Sequence, residues 1–329
     1  GNVGINEASP LGNLHVKSGE SGATVDGSAN ELVVEGSGNS GISILSGSSS
    51  GGQIYFGDSE LNYDGYLAYS HASRNMTLGT AGAGRLNINS AGNVGIGVVP
   101  ETSGSNYNVL QIGQGGSLMA PTATEDMYVG SNVYRNSSNT NSYIVTEKAS
   151  IYEQYNGEHY FNVAPSGSAD AAISFVQGMK ISNAGIVTKP LQPAFQARTA
   201  QVANLPINQT YTVPYGTEVF DQNADYNPAT YTFTAPVTGK YQLNASIYLN
   251  NVVVASGYVE FYIATSNKNY YSILSVNGFD TDLLYFTMPH TVLADMDAGD
   301  TAMVGLWIAS GSQTADLQAE TYFSGSLIC

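Results

Sequence analysis

Glycine, serine and asparagine occur every few positions in the first 190 residues. Such frequent turn-forming residues exclude long helices and long strands. No window in this half sustains the 3.6-residue apolar period of an amphipathic helix. The apolar runs that remain are strand-sized, as at 31–35, 52–57 and 84–89. We therefore expect short β-strands joined by tight turns, with apolar residues too dispersed for an ordinary monomeric core.

A weak internal repeat organises these strands. The pentapeptide Gly-Asn-Val-Gly-Ile at residues 1–5 returns at 92–96, and a degenerate copy stands at 185–187. Each copy has the pattern of strand, tight turn and strand. A unit this narrow cannot bury its apolar side alone, so it must stack on or pair with other chains. The repeat therefore predicts a fibre in which several chains wind round one axis.

The charge balance restricts the partners. Asp and Glu number 26 against 10 Lys and Arg, which gives a net charge of −16. Nucleic acids and anionic lipid both require clustered cations, and no apolar run approaches the ~20 residues of a membrane span. We therefore expect no nucleic-acid binding and no membrane insertion.

The first and last residues of the sequence lead to two further expectations. The single cysteine, Cys329, is the last residue, so no intrachain disulfide framework is expected. The chain begins with Gly1 rather than methionine and has no charged-then-apolar leader, so we expect a fragment or a processed chain.

The second half has longer strands that alternate cleanly. Within 241–249, the apolar residues occupy every second position and polar residues lie between them. About nine such strands in ~135 residues predict a β-sandwich or jelly roll. The other predicted strands are 194–199, 217–220, 230–234, 257–265, 269–276, 283–293, 299–308 and 321–328.

One segment of this half carries a specific resemblance. Residues 226–241, with Phe-Thr-Ala-Pro followed by Gly-Lys-Tyr, resemble the signature of C1q-like domains. Residues 193–195, 293–304 and 321–328 resemble the opening, the Gly-Asp and the closing Phe-Ser-Gly segments of that family. Leu243 stands where many members carry Phe, a departure that leaves the fold intact. The resemblance implies a C1q-like jelly-roll head over residues 191–329.

The first half resembles the shafts of bacteriophage tail fibres through the Ser-x-Gly-Asn-Val-Gly-Ile-Gly element at 90–97. The junction at 179–195 is similar to the passage from such a shaft into a terminal head. Together the resemblances imply an all-β chain, in which an intertwined trimeric shaft of β-strand or β-helix type (1–190) precedes the C1q-like jelly-roll β-sandwich (191–329).

The function implied by these resemblances is recognition without chemistry. The chain would be the distal part of a homotrimeric viral tail fibre, located in the virion tail and joined to other tail or baseplate proteins. Its head would bind a glycan or protein receptor on the host-cell surface.

Candidate receptor contacts come from the 23 tyrosines, because tyrosine stacks on sugar rings and also offers a hydroxyl group. Tyr270 and Tyr271 stand at a predicted loop–strand edge, and Phe279, Asp280 and Asp282 follow the next turn. We predict these five residues as receptor-binding residues. The alternative is that the tyrosines fill half-buried strand positions.

Metal binding is weakly indicated. Asp295, Asp297 and Asp300 flank a turn and offer the oxygen atoms that calcium prefers, but the sequence lacks an EF-hand loop. We favour solvated turn carboxylates and no cofactor, and calcium stays open because some C1q-like heads bind it near the trimer apex.

The histidines have no His or Cys partner at metal-ligand spacing. We expect four isolated polar or edge-strand residues, with a transition-metal site on a threefold axis as the alternative. They are His15, His71, His159 and His290.

Catalysis is not expected, since the one Gly-x-Ser-x-Gly match, at 47–51, lies in a Ser/Gly-rich run. Two other functions stay open. One is a polysaccharide-depolymerising tailspike whose carboxylates pair across subunits, and the other is a cell-encoded extracellular fibre or adhesin with a similar head.

Overall fold

The chain is nearly all-β, with 50% of residues in strands and 2% in helical turns, which confirms the predicted fold class. The computed structural model describes all 329 residues. Two compact units are present. The first comprises Gly1–Asn156 with Ala164–Ser174, and the second comprises Gly157–Val163 with Phe175–Cys329. No helix has the length and apolarity needed to cross a membrane.

The first unit opens with three short parallel strands, β1 (Val3–Ile5), β2 (Leu14–Lys17) and β3 (Leu32–Glu35). They stack in register, so that Gly4, His15 and Val33 lie side by side. In-register stacking of successive short strands is the geometry expected of a β-helix coil.

His15 is fully buried in this stack. Its Nε2 lies 3.0 Å from a carboxylate oxygen of Glu35, and its Nδ1 accepts the Leu11 backbone N–H at 3.3 Å. Lys17 pairs with Glu7 and Glu20 beside it. The prediction of an isolated polar or edge-strand residue is therefore wrong for His15, because it lies buried on the central strand of this stack beside the Glu35 carboxylate.

The rest of the first unit is organised by one continuous sheet. Its strands run in the spatial order β4-β5-β6-β7-β8-β9-β10-β11-β14, all neighbours being antiparallel except β8 and β9, which are parallel. A small hairpin, in which β12 and β13 have two residues each, lies between β11 and β14 in the chain. The strands are β4 (Gly51–Phe56), β5 (Gly65–Ser70), β6 (Asn75–Thr80), β7 (Ala83–Ile88), β8 (Val94–Ile96), β9 (Tyr107–Ile112), β10 (Gly116–Pro121), β11 (Met127–Ser131), β12 (Tyr134–Arg135), β13 (Asn141–Ser142) and β14 (Glu147–Tyr155).

A local core forms under the later strands of this sheet. Val109, Met119, Tyr128 and Ile151 are all buried there, together with apolar residues around the β12–β13 hairpin. The expectation that apolar residues are too dispersed for a core is therefore wrong for residues 109–151. It fails because residues distant in sequence converge on one side of the sheet.

The second unit contains the first part of the next strand, up to Val163, all later strands and two short 3-10 turns. Strand β15 (Glu158–Gly167) pairs antiparallel with β16 (Val176–Ile181), which pairs with β17 (Val187–Thr188). The remaining elements are β18 (Ala194–Arg198), β19 (Tyr211–Thr212), β20 (Thr217–Asp221), β21 (Tyr226–Asn227), β22 (Thr232–Thr234), β23 (Gly239–Val252), η1 (Val254–Ser256), β24 (Tyr258–Thr265), β25 (Asn269–Ser275), η2 (Val276–Gly278), β26 (Leu283–Met296), β27 (Thr301–Ala309), β28 (Asp316–Leu317) and β29 (Tyr322–Leu327).

Strands β18 to β29 form a two-sheet sandwich. One sheet has the order β20-β18-β29-β23-β26, with β28 joined to β23, and the other has the order β21-β22-β27-β24-β25, with β19 joined to β27. Each strand places alternate side chains between the sheets, as its apolar pattern predicts. The result is a continuous apolar core drawn from both sheets.

Aromatic residues of the predicted head signature occupy the centre of this core. The Phe195 ring stacks between Tyr226 and Phe233, with both centroids at 4.8 Å, and meets the edge of Phe323 at 5.0 Å. A Cβ at Gly325 would lie 2.7 Å from Phe195, so only glycine lets β29 approach this stack. The signature therefore encodes the packing of the sandwich.

Candidate functional site

The outer face of the β21–β25 sheet carries a row of aromatic side chains. Tyr271 on β25 lies opposite Tyr262 on β24, and their ring centroids are 5.2 Å apart. Tyr262 in turn lies opposite Gly305 on β27. The next row of the same face contains Ile273, Glu260 and Trp307. We call the surface formed by Tyr262, Tyr271, Trp307, Ile273 and Glu260 the aromatic face.

Gly305 shapes the aromatic face. A Cβ at this position would overlap the Tyr262 ring, so the ring lies flat across the glycine backbone. Partial burial raises the pKa of the Tyr262 phenol further above neutral pH, where its hydroxyl is protonated in any case. The result is a broad, nearly flat apolar surface that retains a hydrogen-bonding hydroxyl group.

Polar groups adjoin the rings. Trp307 Nε1 is buried and has no hydrogen-bond acceptor, and Glu260 lies directly across the sheet from it. Asn269 Nδ2 donates to the Tyr271 hydroxyl at 2.9 Å. Flat rings bordered by a carboxylate and an amide are the surface chemistry that binds a pyranose ring, because apolar C–H groups stack while hydroxyl groups find partners.

The structure separates the two tyrosines that the sequence placed together. Consecutive strand residues point to opposite faces. Tyr271 therefore lies on the aromatic face and is 51% exposed, whereas Tyr270 packs against the core beneath Lys268. The Tyr270 carbonyl oxygen lies 3.0 Å from His290 Nε2.

Phe279, Asp280 and Asp282 lie in the connection between η2 and β26, and all three are exposed. Asp282 accepts the Val254 backbone N–H at 2.8 Å and lines a hollow of about 600 Å³. Asp316 also lines this hollow, and Tyr270 and Tyr271 do not. The structure therefore does not gather the five predicted receptor-binding residues into one site, and receptor contact at each of them stays a prediction.

The three calcium candidates lie around the β26–β27 turn. Asp300 accepts the Asp297 backbone N–H at 2.8 Å and the Asn267 amide at 2.6 Å. Asp295 pairs with Lys240 at 2.5 Å. These carboxylates are engaged in organising their own turn, and no group of three or more His, Cys, Asp or Glu side chains in the chain is placed to hold a metal ion. Calcium binding in the assembled protein stays a prediction.

Two carboxylates of the first unit, Glu101 and Asp170, influence each other electrostatically. Burial raises the pKa of Glu101, and the nearby Asp170 charge raises it further. Asp170 accepts a hydrogen bond from the Tyr134 hydroxyl at 2.8 Å. These residues are distant in sequence, and no motif connects them.

Sequence reasoning missed the contributions of Trp307, Tyr262 and Gly305. A glycine inside an apolar strand signals a close approach by a neighbouring group, so Gly305 was the available clue. The pairing of β24 with β25 and β27 was also needed, because only the register places the three aromatic residues on one surface.

The comparisons with known proteins agree with the sandwich. The family model described as the C1q domain matches residues 194–328, so the chain carries a C1q domain there. This finding confirms the prediction that the second half of the chain contains a C1q-like domain. In the comparison with curated proteins, no sequence is similar enough to count as a match.

Three solved structures each align with 42% of this chain. The globular domain of zebrafish complement 1qA protein is 16% identical over 98% of its length, with a TM-score of 0.32. Murine APRIL is 11% identical over 99% of its length, with a TM-score of 0.32. Eiger TNF from S. frugiperda is 13% identical over 92% of its length, with a TM-score of 0.31.

Three general properties accompany a domain of this type. C1q/TNF-type domains are generally non-enzymatic binding modules. They are known to form trimers. Proteins with a C1q domain are typically extracellular.

Proposed function

We propose that this chain is the distal part of a homotrimeric bacteriophage tail fibre that attaches the virion to a host-cell surface glycan through its C1q head. The glycine-rich repeats of the first half and the C1q domain that follows support this order of shaft and head. The protein would act by binding alone and reside in the virion tail.

The aromatic face is the single observation that carries glycan binding. It combines the exposed Tyr271, the flattened Tyr262 ring and the partly exposed Trp307 ring on three adjacent strands. Rigid aromatic side chains lose little entropy on binding, so they suit a ligand that offers few strong contacts. Three heads on one fibre would multiply a weak single-site affinity by ~10²–10⁴.

The test is binding of the fluorescently labelled full chain to an array of purified bacterial surface polysaccharides and to whole cells. Tyr271→Ala should raise the Kd for the glycan by about 3- to 10-fold, the value of one stacking contact. Trp307→Phe keeps a ring but reduces the area on which a sugar can stack, so it should weaken binding without abolishing it. A calcium-chelated arm tests the metal prediction.

The matched control is Tyr63→Ala, which removes an exposed tyrosine from the first unit. It should bind as the natural chain does. Failure of the natural chain to bind any glycan or cell would contradict the proposed function. Unchanged binding by Tyr271→Ala would place the site elsewhere, for example at the hollow lined by Asp282 and Asp316.

A depolymerising tailspike is the enzymatic alternative, and the Glu101–Asp170 pair is the observation that favours it. A general acid for glycoside hydrolysis needs a raised pKa, and burial gives Glu101 that property. Incubation with host polysaccharide separates the two functions. Release of oligosaccharide that Glu101→Gln abolishes would establish the enzyme and contradict binding without chemistry.

A cell-encoded extracellular fibre or adhesin is the other alternative, because the C1q domain is compatible with it. Gene neighbourhood distinguishes the two sources. Adjacent tail-tube, baseplate and lysis genes would support the viral fibre, whereas adjacent secretion or pilus genes would support the adhesin.

A further inference from the structure

The sheet of the first unit has one side made almost entirely of aliphatic side chains. Register places one residue from each of six consecutive strands in a single cross-strand row. Residues directly opposite each other in a sheet point to the same side. The row consists of Ile54, Leu67, Leu78, Leu86, Ile96 and Ile112.

A second row lies two residues along each strand and therefore on the same side. It runs from Tyr69 and Met76 through the middle strands to Leu118 and Val129. We call the two rows together the apolar ladder. At a strand spacing of about 4.8 Å, the ladder extends over roughly 30 Å.

From β7 onward the opposite side of the sheet is covered by the chain itself, and it buries polar side chains together with the apolar Val109 and Met119. Asn87 donates to the Val98 carbonyl oxygen, Gln111 accepts the Glu101 backbone N–H, and Ser117 donates to the Val133 carbonyl oxygen. Gln111 is only 2% exposed.

Along β7–β11 the ladder is thus the more exposed of the two sides. In the ladder, Leu78 is 44%, Ile96 45% and Ile112 50% exposed. A half-covered antiparallel sheet normally buries its apolar side and leaves its polar side to water. An aliphatic surface of this extent marks a contact that the single chain does not make.

Three shallow hollows mark the ladder along its length. Their volumes are about 180 Å³ around Ile54 and Met76, about 550 Å³ around Leu67 and Leu78, and about 280 Å³ around Val94 and Leu110. Hollows between aliphatic side chains receive the protruding side chains of a packed partner.

We infer that the apolar ladder packs against the same ladder of two further copies of this chain. The inference rests on the proposed homotrimer and names the surface that the first unit contributes to it. Neither row contains a charged residue, although the chain as a whole carries −16, so the rows themselves can meet without burying a charge. Three charged residues, Asp58, Asp64 and Arg85, line the hollow around Leu67 and Leu78 beside the rows.

The C1q domain adds a second argument for this occupant. Domains of its type form trimers, and trimeric heads would tether three first units at an effective concentration near millimolar. The six side chains of one row and the seven of the other would then contact the same residues of the two neighbouring chains. A patch of that size is on the scale of the apolar centre of a stable interface.

The test measures thiol accessibility in the assembled full chain. In a Cys329→Ser background, Leu78→Cys places a single thiol in the ladder, and Val99→Cys places one among the opposite-side residues Ser70, Thr77 and Asn87. Leu78 is 44% and Val99 61% exposed in the single chain. If the ladder were uncovered, this difference in exposure would make the two maleimide labelling rates differ by only a small factor. Sedimentation gives the mass of each sample, and circular dichroism checks its fold.

The inference predicts a trimer in which the thiol at position 78 reacts at least about tenfold more slowly than the thiol at position 99. A trimer with similar rates at both positions would overturn the inference and leave the proposed homotrimer intact. A monomer with similar rates would overturn both. A monomer with slow labelling at position 78 would show that the chain covers its own ladder, which also overturns packing against further copies.

Discussion

The two units differ in how completely they bury their apolar side chains. The second unit closes two sheets over a core in which Phe195, Phe233 and Phe323 are almost wholly buried. The sheet of the first unit buries polar side chains such as Gln111 on its covered side, while Leu78 and Ile96 remain exposed on the other. One chain therefore combines a sandwich that is complete within itself with a sheet whose apolar side requires other molecules.

This contrast explains the low charge and high glycine content. A sheet covered by further copies has little free surface, so it needs few charged residues. Its strands are short because the coil and hairpin turns return every few residues, and positions such as Gly92 and Gly113 adopt positive φ there. The head follows ordinary globular rules and has longer strands.

The largest effect is expected from charges placed in the apolar ladder. Leu78→Asp combined with Ile96→Asp would bury two carboxylates for every chain in the interface, at a cost of several kcal/mol each. We expect the first unit to become sensitive to thermolysin while a fragment containing the C1q domain survives. Mass spectrometry of the digest is the measurement.

The control for this pair introduces the same two charges at exposed positions outside the ladder, as Val99→Asp with Val237→Asp. That variant should resist thermolysin as the natural chain does. Equal digestion of both variants would mean that the ladder is not an interface.

The next effect tests the self-sufficient head. Phe195→Ala removes the ring stacked between Tyr226 and Phe233 and should destabilise the sandwich by about 3–5 kcal/mol. Phe220→Ala removes an exposed ring of the same domain and should cost far less. Differential scanning calorimetry should show one transition shifted by the first variant only; equal shifts from both would contradict the packing described.

A smaller effect is expected from Gly305→Ala. The added methyl group would displace the partly exposed Tyr262 ring and spoil the aromatic face, with little loss of stability because the ring has room to move. We expect a loss of glycan affinity similar to that of Tyr271→Ala, up to about tenfold. Gly38→Ala has nothing within 4 Å and serves as the control; binding unaffected by either change would remove Gly305 from the site.

The smallest expected effect is the loss of stability of strands β1–β3 at low pH. Hydrogen bonds from the Ser21 backbone N–H and hydroxyl lower the pKa of Glu35 from its usual 4.5, and Lys17 lowers the pKa of Glu7. Because the folded pKa values are depressed, the stabilisation is complete above the unfolded value and disappears as pH falls through the folded values. Strands β1–β3 should therefore lose hydrogen-exchange protection below about pH 4.5, while protection stays constant between pH 5 and 7.

Glu35→Gln should weaken the protection of β1–β3 at pH 7 and reduce its dependence on acid. Glu31→Gln changes an exposed acid in the same segment and is the control. Acid sensitivity that persists unchanged in Glu35→Gln would assign the effect to other groups.

Much of the head was predictable from the sequence because its information is local. The alternation in 241–249 and the Phe-Thr-Ala-Pro segment identify strands and core residues directly, and the observed β23 and β22 contain them. The same alternation indicates that Tyr270 and Tyr271 point to opposite sides. Only one of this pair was therefore available to a flat surface site.

The apolar ladder and the aromatic face were not predictable in the same way. Both arise from register between strands, which is fixed by turn lengths and by β8 running parallel to β9. Single strands of the first half, such as Ala83–Ile88, show no strong apolar pattern alone. The His15–Glu35 pair likewise depends on two coils stacking at matching positions.

Hydrogen exchange of the full chain in increasing urea, with its mass followed by sedimentation, tests the contrast between the units most directly. The account predicts that amides of strands β4–β9 lose protection together with the trimer, while amides of β23 and β27 stay protected to higher urea. Protection of β4–β9 that persists unchanged in the dissociated monomer would contradict it, since the sheet would then be complete without further copies.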